Sequence, residues 1–327
     1  MLLLQTDTLG FIMIQNYNYK LSLIFFTGIL LSAFMPGTCY AVKVTAVKHL
    51  FNLKHDFLQP SDVTVVKNCN IYVMDGVNHC VKVFYTDGSF QFRFGRKGTE
   101  NGHFNSPLGI CTDSQNRIYV ADSGNHRVQV FSQKGIFLSS FQIKNPDSKK
   151  LSDPVDLIID DKRKRIYVVD NDNSNILIYS LTDFSLINSL GTEGEGMQEF
   201  KHPFLITLGK DTSIIISDVL NTRVQVWSPK GKAIHSIGEY GVDLGQLYRP
   251  KGVAVDKDNN VFVSDSYVGA IQVFNIYGHF LSVVGTEKGE VLKWTTPVGI
   301  TIDKNQRLYV VEMLLNQVSV YQIQSKE

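Results

Sequence analysis

Short runs of alternating apolar and polar positions recur along most of the chain and are separated by polar turns. In a clear copy, an apolar run follows Pro107, the triplet Ile118-Tyr119-Val120 ends at the carboxylate of Asp122, and the run Val128 to Phe131 follows a polar loop. Period-two alternation bounded by turn residues is typical of β-strands. Each copy therefore predicts four short strands.

The copies begin at prolines that keep one phase along the chain. Successive members are 47, 47, 49, 47 and 47 residues apart: Pro60, Pro107, Pro154, Pro203, Pro250 and Pro297. A fixed period of this size indicates one structural unit that stacks against copies of itself. Four strands per unit predict an all-β, six-bladed β-propeller of four-stranded antiparallel blades.

The two ends of the repeat array complement each other. The last blade, which begins at Pro297, stops after its third strand near Val318 to Ile323. An additional strand over Val42 to Leu53 belongs to no complete repeat. We expect this N-terminal strand to complete the last blade, because closing the ring leaves no open sheet edge. The propeller domain is thus predicted over residues 42–327.

Residues 1–41 have the pattern of a secretory signal peptide. Lys20 precedes an uncharged apolar run, and small residues at Cys39 and Ala41 suit a cut after Ala41. Met13 would begin a more ordinary signal peptide than Met1 does. We expect export to the periplasm or the cell exterior, without stable membrane insertion after cleavage. An uncleaved anchor is the less favoured alternative, because the run is shorter than the roughly 20 residues that span a bilayer.

Composition narrows the classes of partner. The chain is 43% hydrophobic and 19% charged, with a formal net charge of +1, so no bulk positive field favours nucleic acid. After cleavage three cysteines remain, Cys69, Cys80 and Cys111. A whole strand separates Cys69 from Cys80, and Cys111 lies in an apolar run. We therefore expect that disulfides do not hold the fold together. We also expect a monomer.

The repeat resembles the NHL repeat over about residues 55 to 325. The string IYVADSGNHRVQVF at Ile118 to Phe131, preceded by GRKGTENGHFNSPLGI, carries the resemblance most clearly. The resemblance implies a six-bladed propeller, in agreement with the repeat count. Relatives include cytoplasmic RNA-binding propellers, extracytoplasmic sensor or interaction domains, and a zinc-dependent lyase, so the fold alone does not assign the function.

Two sets of residues suggest metal chemistry. The first is the carboxylates that end the second strands: Asp75, Asp122, Asp170, Asp218, Asp265 and Glu312. We interpret them as structural, because each can accept hydrogen bonds in the loop that it starts, as Asp122 could from Asn125 or Arg127. The second set is the histidines. The lyase relatives carry zinc-binding histidines directly after the blade-opening proline, whereas those positions here are Ser61, Leu108, Val155, Phe204, Lys251 and Val298.

The connections between blades and the loops that follow the second strands are predicted to share one face, here called the loop face. Departures from the repeat concentrate there, and aromatic and arginine side chains are enriched at contact hot spots. The predicted contact residues are His79, His126, Arg127, His202, Arg223, Tyr248, Arg249, Lys251 and Trp294. Tyr248 and Trp294 have an alternative interpretation as plugs between blades, like Phe104 and Phe200.

These observations predict an exported propeller that binds or scaffolds a protein partner through the loop face. No catalytic residue, cofactor or nucleic-acid partner is predicted. The alternative is a metal-dependent hydrolase or lyase, with a structural or catalytic metal ion in the central channel.

Overall fold

The structure is a computed structural model that describes residues 42–67, 70–146 and 148–324. These residues form an all-β propeller of four-stranded antiparallel blades, as the sequence predicts. The predicted signal peptide and Cys69 lie outside the described residues.

The blades follow one another along the chain, each with its first strand innermost and its fourth strand outermost. Blade one comprises Pro60–Val65, Ile71–Asp75, Cys80–Phe84 and Phe90–Phe94. Blade two comprises Ile110–Thr112, Ile118–Asp122, Arg127–Phe131 and Phe137–Gln142. Blade three comprises Pro154–Asp160, Arg165–Asp170, Asn175–Ser180 and Leu186–Leu190.

The second half of the ring repeats this arrangement. Blade four comprises Pro203–Leu208, Ile214–Asp218, Arg223–Trp227 and Ala233–Ile237. Blade five comprises Pro250–Val255, Val261–Asp265, Ala270–Phe274 and Phe280–Gly285. Blade six comprises Pro297–Ile302, Arg307–Glu312, Gln317–Ile323 and the N-terminal strand Val44–Leu53.

Smaller elements lie in the connections. Short parallel pairs join Thr192–Glu193 to Glu199–Phe200 and Glu239–Tyr240 to Gln246–Leu247. Single 3₁₀ turns follow the second strands of blades two, four and six, at Ser123–Asn125, Val219–Asn221 and Met313–Leu315. No helix among the described residues is long and apolar enough to cross a membrane.

The second strand of each blade is buried on both sides because each blade packs between two others. In blade two, Ile118 and Val120 face the core shared with blade one, whereas Tyr119 faces the core shared with blade three. Successive side chains of a strand point to opposite faces of the sheet. Apolar residues at successive positions therefore fill two cores at once and hold neighbouring blades together.

The closing strand pairs as the sequence predicts and makes one further contact. Val47 to Leu53 pair antiparallel with the third strand of blade six, from Ile323 to Val318. Val44 to Ala46 pair parallel with the fourth strand of blade five, from Val283 to Gly285. The same strand thus closes blade six and joins its sheet to that of blade five.

The first strands of neighbouring blades contact one another around the whole ring and enclose the axis. A narrow cavity of about 60 Å³ at the axis is lined by residues that include Asp62, Cys111 and Asp156. Cys80 and Cys111 are both buried free thiols, and burial raises the pKa of each. Neither of these two thiols forms a disulfide.

Candidate binding face and pocket

The repeated carboxylates are structural in the blades, as the sequence indicates. Asp122 accepts hydrogen bonds from Arg127 Nε at 2.8 Å, from Asn125 Nδ2 at 2.8 Å and from the backbone amide of Asn105 at 2.7 Å. The carboxylate is fully buried, so these donors satisfy a charge that would otherwise be costly. The other aspartates likewise tie the loop that each starts to the incoming connection, whereas Glu312 binds that connection and the third strand.

In blade five the corresponding acid fixes the backbone beneath an exposed aromatic surface. The carboxylate of Asp265 accepts the backbone amides of Tyr248 and Arg249 on one oxygen, at 2.6 and 3.0 Å. Its other oxygen accepts the amides of Tyr267 and Val268, both at 3.0 Å. One buried side chain therefore fixes two segments of the loop face relative to each other.

Three tyrosine rings pack against one another, tilted, on this support. The ring of Tyr248 lies 4.2 Å from that of Tyr267 and 5.6 Å from that of Tyr240, between centroids. Tyr240 is 69% exposed and Tyr267 is 63% exposed. We call Tyr240, Tyr248 and Tyr267 the tyrosine patch. Its rings offer a large contact area on a backbone that is already fixed.

Beside the patch, a pocket of about 360 Å³ opens on the loop face across blades two to five. Its wall uses residues that directly follow the blade-opening prolines, Leu108, Val155, Phe204 and Lys251. Asp153, His202 and Arg249 are among its polar lining residues. We call this cavity the loop-face pocket. Four of the six positions that carry zinc-binding histidines in the lyase relatives therefore form an apolar wall with one lysine here.

Two ionisable groups in the loop-face pocket have pKa values displaced toward neutrality. Burial, with Arg249 nearby, lowers the pKa of Lys251 to about 8. Burial, followed by repulsion from Asp172 and Asp170, raises the pKa of Asp153 to about 6. Groups with perturbed pKa values in a concave site are typical of functional sites.

The structure brings part of the predicted contact set together. Tyr248, Arg249 and Lys251 lie in or beside the loop-face pocket on blade five, and His202 lies at the same pocket, where its Nδ1 is 2.9 Å from Asn171 Oδ1. Their role in binding stays a prediction.

His79 and His126 occupy matching loop positions, as expected, but each serves a local contact. The amide of Ser106 donates to His79 Nδ1 at 3.1 Å, and His126 Nδ1 lies 2.7 Å from the carbonyl of Ser152. Both residues adopt left-handed backbone, with φ of 52° and 55°. Burial is the main cause of the lowered pKa of His79. Neither histidine lines the loop-face pocket.

Two of the predicted contact residues are arginines that begin third strands, and each pairs with the acid of its own repeat. Arg127 is 6% exposed and pairs with Asp122 at 2.8 Å. Because its side chain is buried, the prediction that Arg127 is a surface contact residue is wrong. Arg223 makes the equivalent pair with Asp218 at 2.9 Å and also donates to the carbonyl oxygens of Gly196 and Glu199.

The prediction that Trp294 is a contact residue is also wrong. Its side chain is 5% exposed and packs edge-on against Tyr321, and its Nε1 donates to the Tyr321 hydroxyl at 3.1 Å. The alternative interpretation is the correct one: Trp294 fills the core between blades five and six. Phe104 and Phe200 are likewise buried plugs.

Sequence reasoning missed several residues. Tyr267 follows Asp265 directly, and its place in the loop after a second strand could have revealed it. Asp153 directly precedes Pro154. Asp62 and Asp156 stand two positions after their prolines, where other copies carry glycine or leucine, and this departure from the repeat was a visible signal.

Asp62 and Asp156 lie buried at the channel. Asp62 accepts the amides of Val63 and Ile110, and Asp156 accepts that of Ile206. Burial raises the pKa of Asp62 to about 7 and also raises that of Asp156, which the charge of Asp62 raises further. Within the described ranges, no group of three His, Cys, Asp or Glu side chains is placed to hold a metal ion.

Comparison with known proteins agrees with the repeat assignment. The NHL repeat profile matches residues 57–84, 104–131 and 247–274. Among curated protein sequences, none matches the chain significantly.

Several solved structures share the fold. A streptogramin B lyase aligns with a TM-score of 0.63 and 13% identity, over 85% of this chain and 97% of that one. A virginiamycin B lyase from Staphylococcus aureus aligns with a TM-score of 0.56 and 16% identity, over 86% and 89%. A gluconolactonase from Xanthomonas campestris aligns with a TM-score of 0.64 and 14% identity, over 87% and 92%. At these identities the likeness concerns the fold.

Proposed function

Since this chain is a six-bladed β-propeller in which three segments match the NHL repeat, we propose that it is a binding protein that holds a protein partner against the loop face of blades four and five. The pattern of residues 1–41 supports a site of action outside the cytoplasm. The tyrosine patch is the observation that carries the proposal.

A contiguous patch of exposed aromatic side chains is typical of an interaction site. Tyrosine is enriched among the residues that dominate binding energy, because its ring buries a large area while its hydroxyl can keep a polar partner. The patch is also rigid before binding, because Asp265 holds the backbone of Tyr248 and Tyr267. Less conformational entropy is therefore lost when a partner docks.

The surroundings of the patch indicate the chemistry of the partner. Arg249 follows Tyr248, and Lys293 Nζ donates to the carbonyl of Val268, beside Tyr267. Val242 and Leu244, 56% and 48% exposed, lie in the same connection as Tyr240. A partner segment that combines carboxylates with apolar side chains would complement both features. We therefore propose such a segment as the occupant.

The chain offers a matched control for testing this surface. Tyr277 belongs to the same blade and is 64% exposed, but it lies in the turn between the third and fourth strands, on the opposite face. Replacing Tyr267 or Tyr277 by alanine removes a side chain of equal exposure from opposite faces.

The experiment captures partners from envelope and secreted extract with the wild-type protein, then measures binding of the purified partner to each variant. Tyr267→Ala and Tyr240→Ala should each weaken binding by about 2 kcal/mol, roughly 30-fold, whereas Tyr277→Ala should change it little. Arg249→Glu should also weaken binding. Equal losses from Tyr267→Ala and Tyr277→Ala, or no loss from either, would contradict the proposal.

A further inference from the structure

The loop-face pocket has two chemically different ends. Lys251 and Arg249 contribute positive charge from blade five, and Asp153 contributes a carboxyl group from blade three. Blade four contributes Phe204, Val219 and Leu220 to the same lining, and its first strand packs between those of blades three and five. The cationic and acidic groups therefore come from blades that are not neighbours, on the two sides of blade four.

The cationic end lacks an anionic partner. The ammonium group of Lys251 lies 3.9 Å from the centre of the Phe204 ring, which supplies a favourable cation–π contact but no hydrogen-bond acceptor. Neither this ammonium nor the Arg249 guanidinium bonds to an acceptor in the part of the chain that the structure describes. A half-buried ammonium without an acceptor gains free energy when a ligand supplies one.

Apolar side chains occupy the space between the two ends. Leu108, Val155 and Phe204 line the wall, and Val219 and Leu220 extend it from the loop of blade four. The volume of about 360 Å³ falls within the range of small-ligand sites, roughly 300–1,000 Å³. A few polar groups placed on an apolar wall are the usual composition of such sites.

We propose that the loop-face pocket binds an apolar monocarboxylate. Its carboxylate lies against Lys251 and Arg249, and its hydrocarbon body lies along Leu108, Val155 and Phe204. Asp153 repels a second carboxylate at the far end and so selects against diacids. The carboxylate can come from a free organic acid or from the C-terminus of a peptide that ends in an apolar residue, because both present the same chemistry. This binding does not depend on the tyrosine patch.

A ligand series on the unmodified protein tests the charge requirement. Calorimetric titration of the chain from Val42 onward compares hexanoate with hexanamide, hexylamine and adipate at neutral pH. Hexanoate should bind saturably and at least about tenfold more tightly than each of the other three, since one charge-assisted hydrogen bond contributes roughly 1.5–3 kcal/mol. Binding of hexanamide or hexylamine as tight as that of hexanoate would overturn the proposal.

Variants then locate the site. Lys251→Met keeps the length of the side chain and removes its charge, and it should weaken hexanoate binding at least about tenfold. Arg249→Gln, at an exposed position, should weaken it in the same direction. Lys134→Met, at an exposed turn on the opposite face, is the control and should leave the affinity within about twofold. Unchanged affinity in both Lys251→Met and Arg249→Gln would overturn the proposal even if hexanoate binds.

Two further comparisons complete the test. Asp153→Asn should reduce the discrimination between hexanoate and adipate, and unchanged discrimination would remove Asp153 from the site. A peptide that ends in Leu-Leu with a free carboxylate, compared with its C-terminal amide, distinguishes a peptide terminus from a free acid. Preference for the free peptide carboxylate with no binding of hexanoate identifies a peptide ligand, whereas binding of neither acid overturns the proposal.

Discussion

Lys82 shows how a single side chain adapts the repeat without breaking it. Blades two, four and five carry Gln129, Gln225 and Gln272 at the matching position of the third strand. Lys82 is 2% exposed, pairs with Asp75 at 2.7 Å, and donates to the carbonyl oxygens of His55 and Asp56. The lysine thus replaces the glutamine as a hydrogen-bond donor and also neutralises the buried carboxylate.

Substitution of Lys82 should therefore depend strongly on what replaces it. Lys82→Met leaves Asp75 buried without its cation, and we expect a loss of about 3–5 kcal/mol in the free energy of unfolding. Lys82→Gln keeps a donor for Asp75 and should cost only about 1–2 kcal/mol. Urea unfolding with an unchanged m-value measures both, and equal costs would show that the charge pair contributes nothing specific.

Asp62 should make the stability of the propeller depend on pH. Burial raises its pKa to about 7 in the folded protein, whereas an unfolded aspartate titrates near the ordinary value of about 4. Between those values the folded state binds more protons than the unfolded state, so the free energy of unfolding falls as pH rises from about 4 to 7. Asp156, whose pKa burial also raises, acts in the same direction.

The variant Asp62→Asn tests this contribution because asparagine cannot ionise but keeps an acceptor oxygen for Val63 or Ile110. The difference in unfolding free energy between pH 5 and pH 8 should shrink in the variant, by on the order of a few kcal/mol. A pH dependence identical to that of the wild type would show that Asp62 ionises normally.

At the scale of elements, the strand Val44–Leu53 connects the two ends of the ring. It covers the edge of Gln317–Ile323 and places the buried side chains of Val47 and Leu53 in two different inter-blade cores. Without this strand, blade six would present an unpaired edge, and such edges invite association with other chains.

Removal of residues 42–53 should therefore lower the melting temperature of the whole propeller and promote aggregation. The control is the chain that begins at Val42. Thermal unfolding followed by circular dichroism, with light scattering on the same samples, measures both effects. An unchanged melting temperature in the shortened protein would refute closure by this strand as a source of stability.

The elements were predictable because the repeat supplies many independent copies of one pattern. The prolines, the closing acids and the missing fourth strand of blade six together determine the blade count and the closure. The parallel pairing of Val44 to Ala46 with blade five was not predictable, since no sequence pattern specifies which edge lies beside the start of a strand. This pairing depends on the position that blade five takes in the closed ring.

For the whole molecule, the surface residues were harder to predict than the fold because burial arises between blades. Trp294 and Arg127 stand in loop-face sequences but are covered by Tyr321 and by the connection around His103. Conversely, Tyr267 and Asp153 become candidates only when the ring places them beside Tyr248 and the loop-face pocket. The local sequence determines where each strand forms. Packing against the neighbouring blade determines which side chains remain exposed.

We propose that blades four and five bind a protein partner through the loop face. The most direct measurement places a photo-crosslinking amino acid, p-benzoyl-phenylalanine, at position 267 in one protein and at position 277 in another. Both positions are about equally exposed, at 63% and 64%, and they lie on opposite faces of blade five. Irradiation in envelope and secreted extract, followed by mass spectrometry, identifies the adducts. A partner crosslinked from position 267 and not from position 277 is the predicted result; the same adducts from both positions, or adducts from 277 alone, would contradict it.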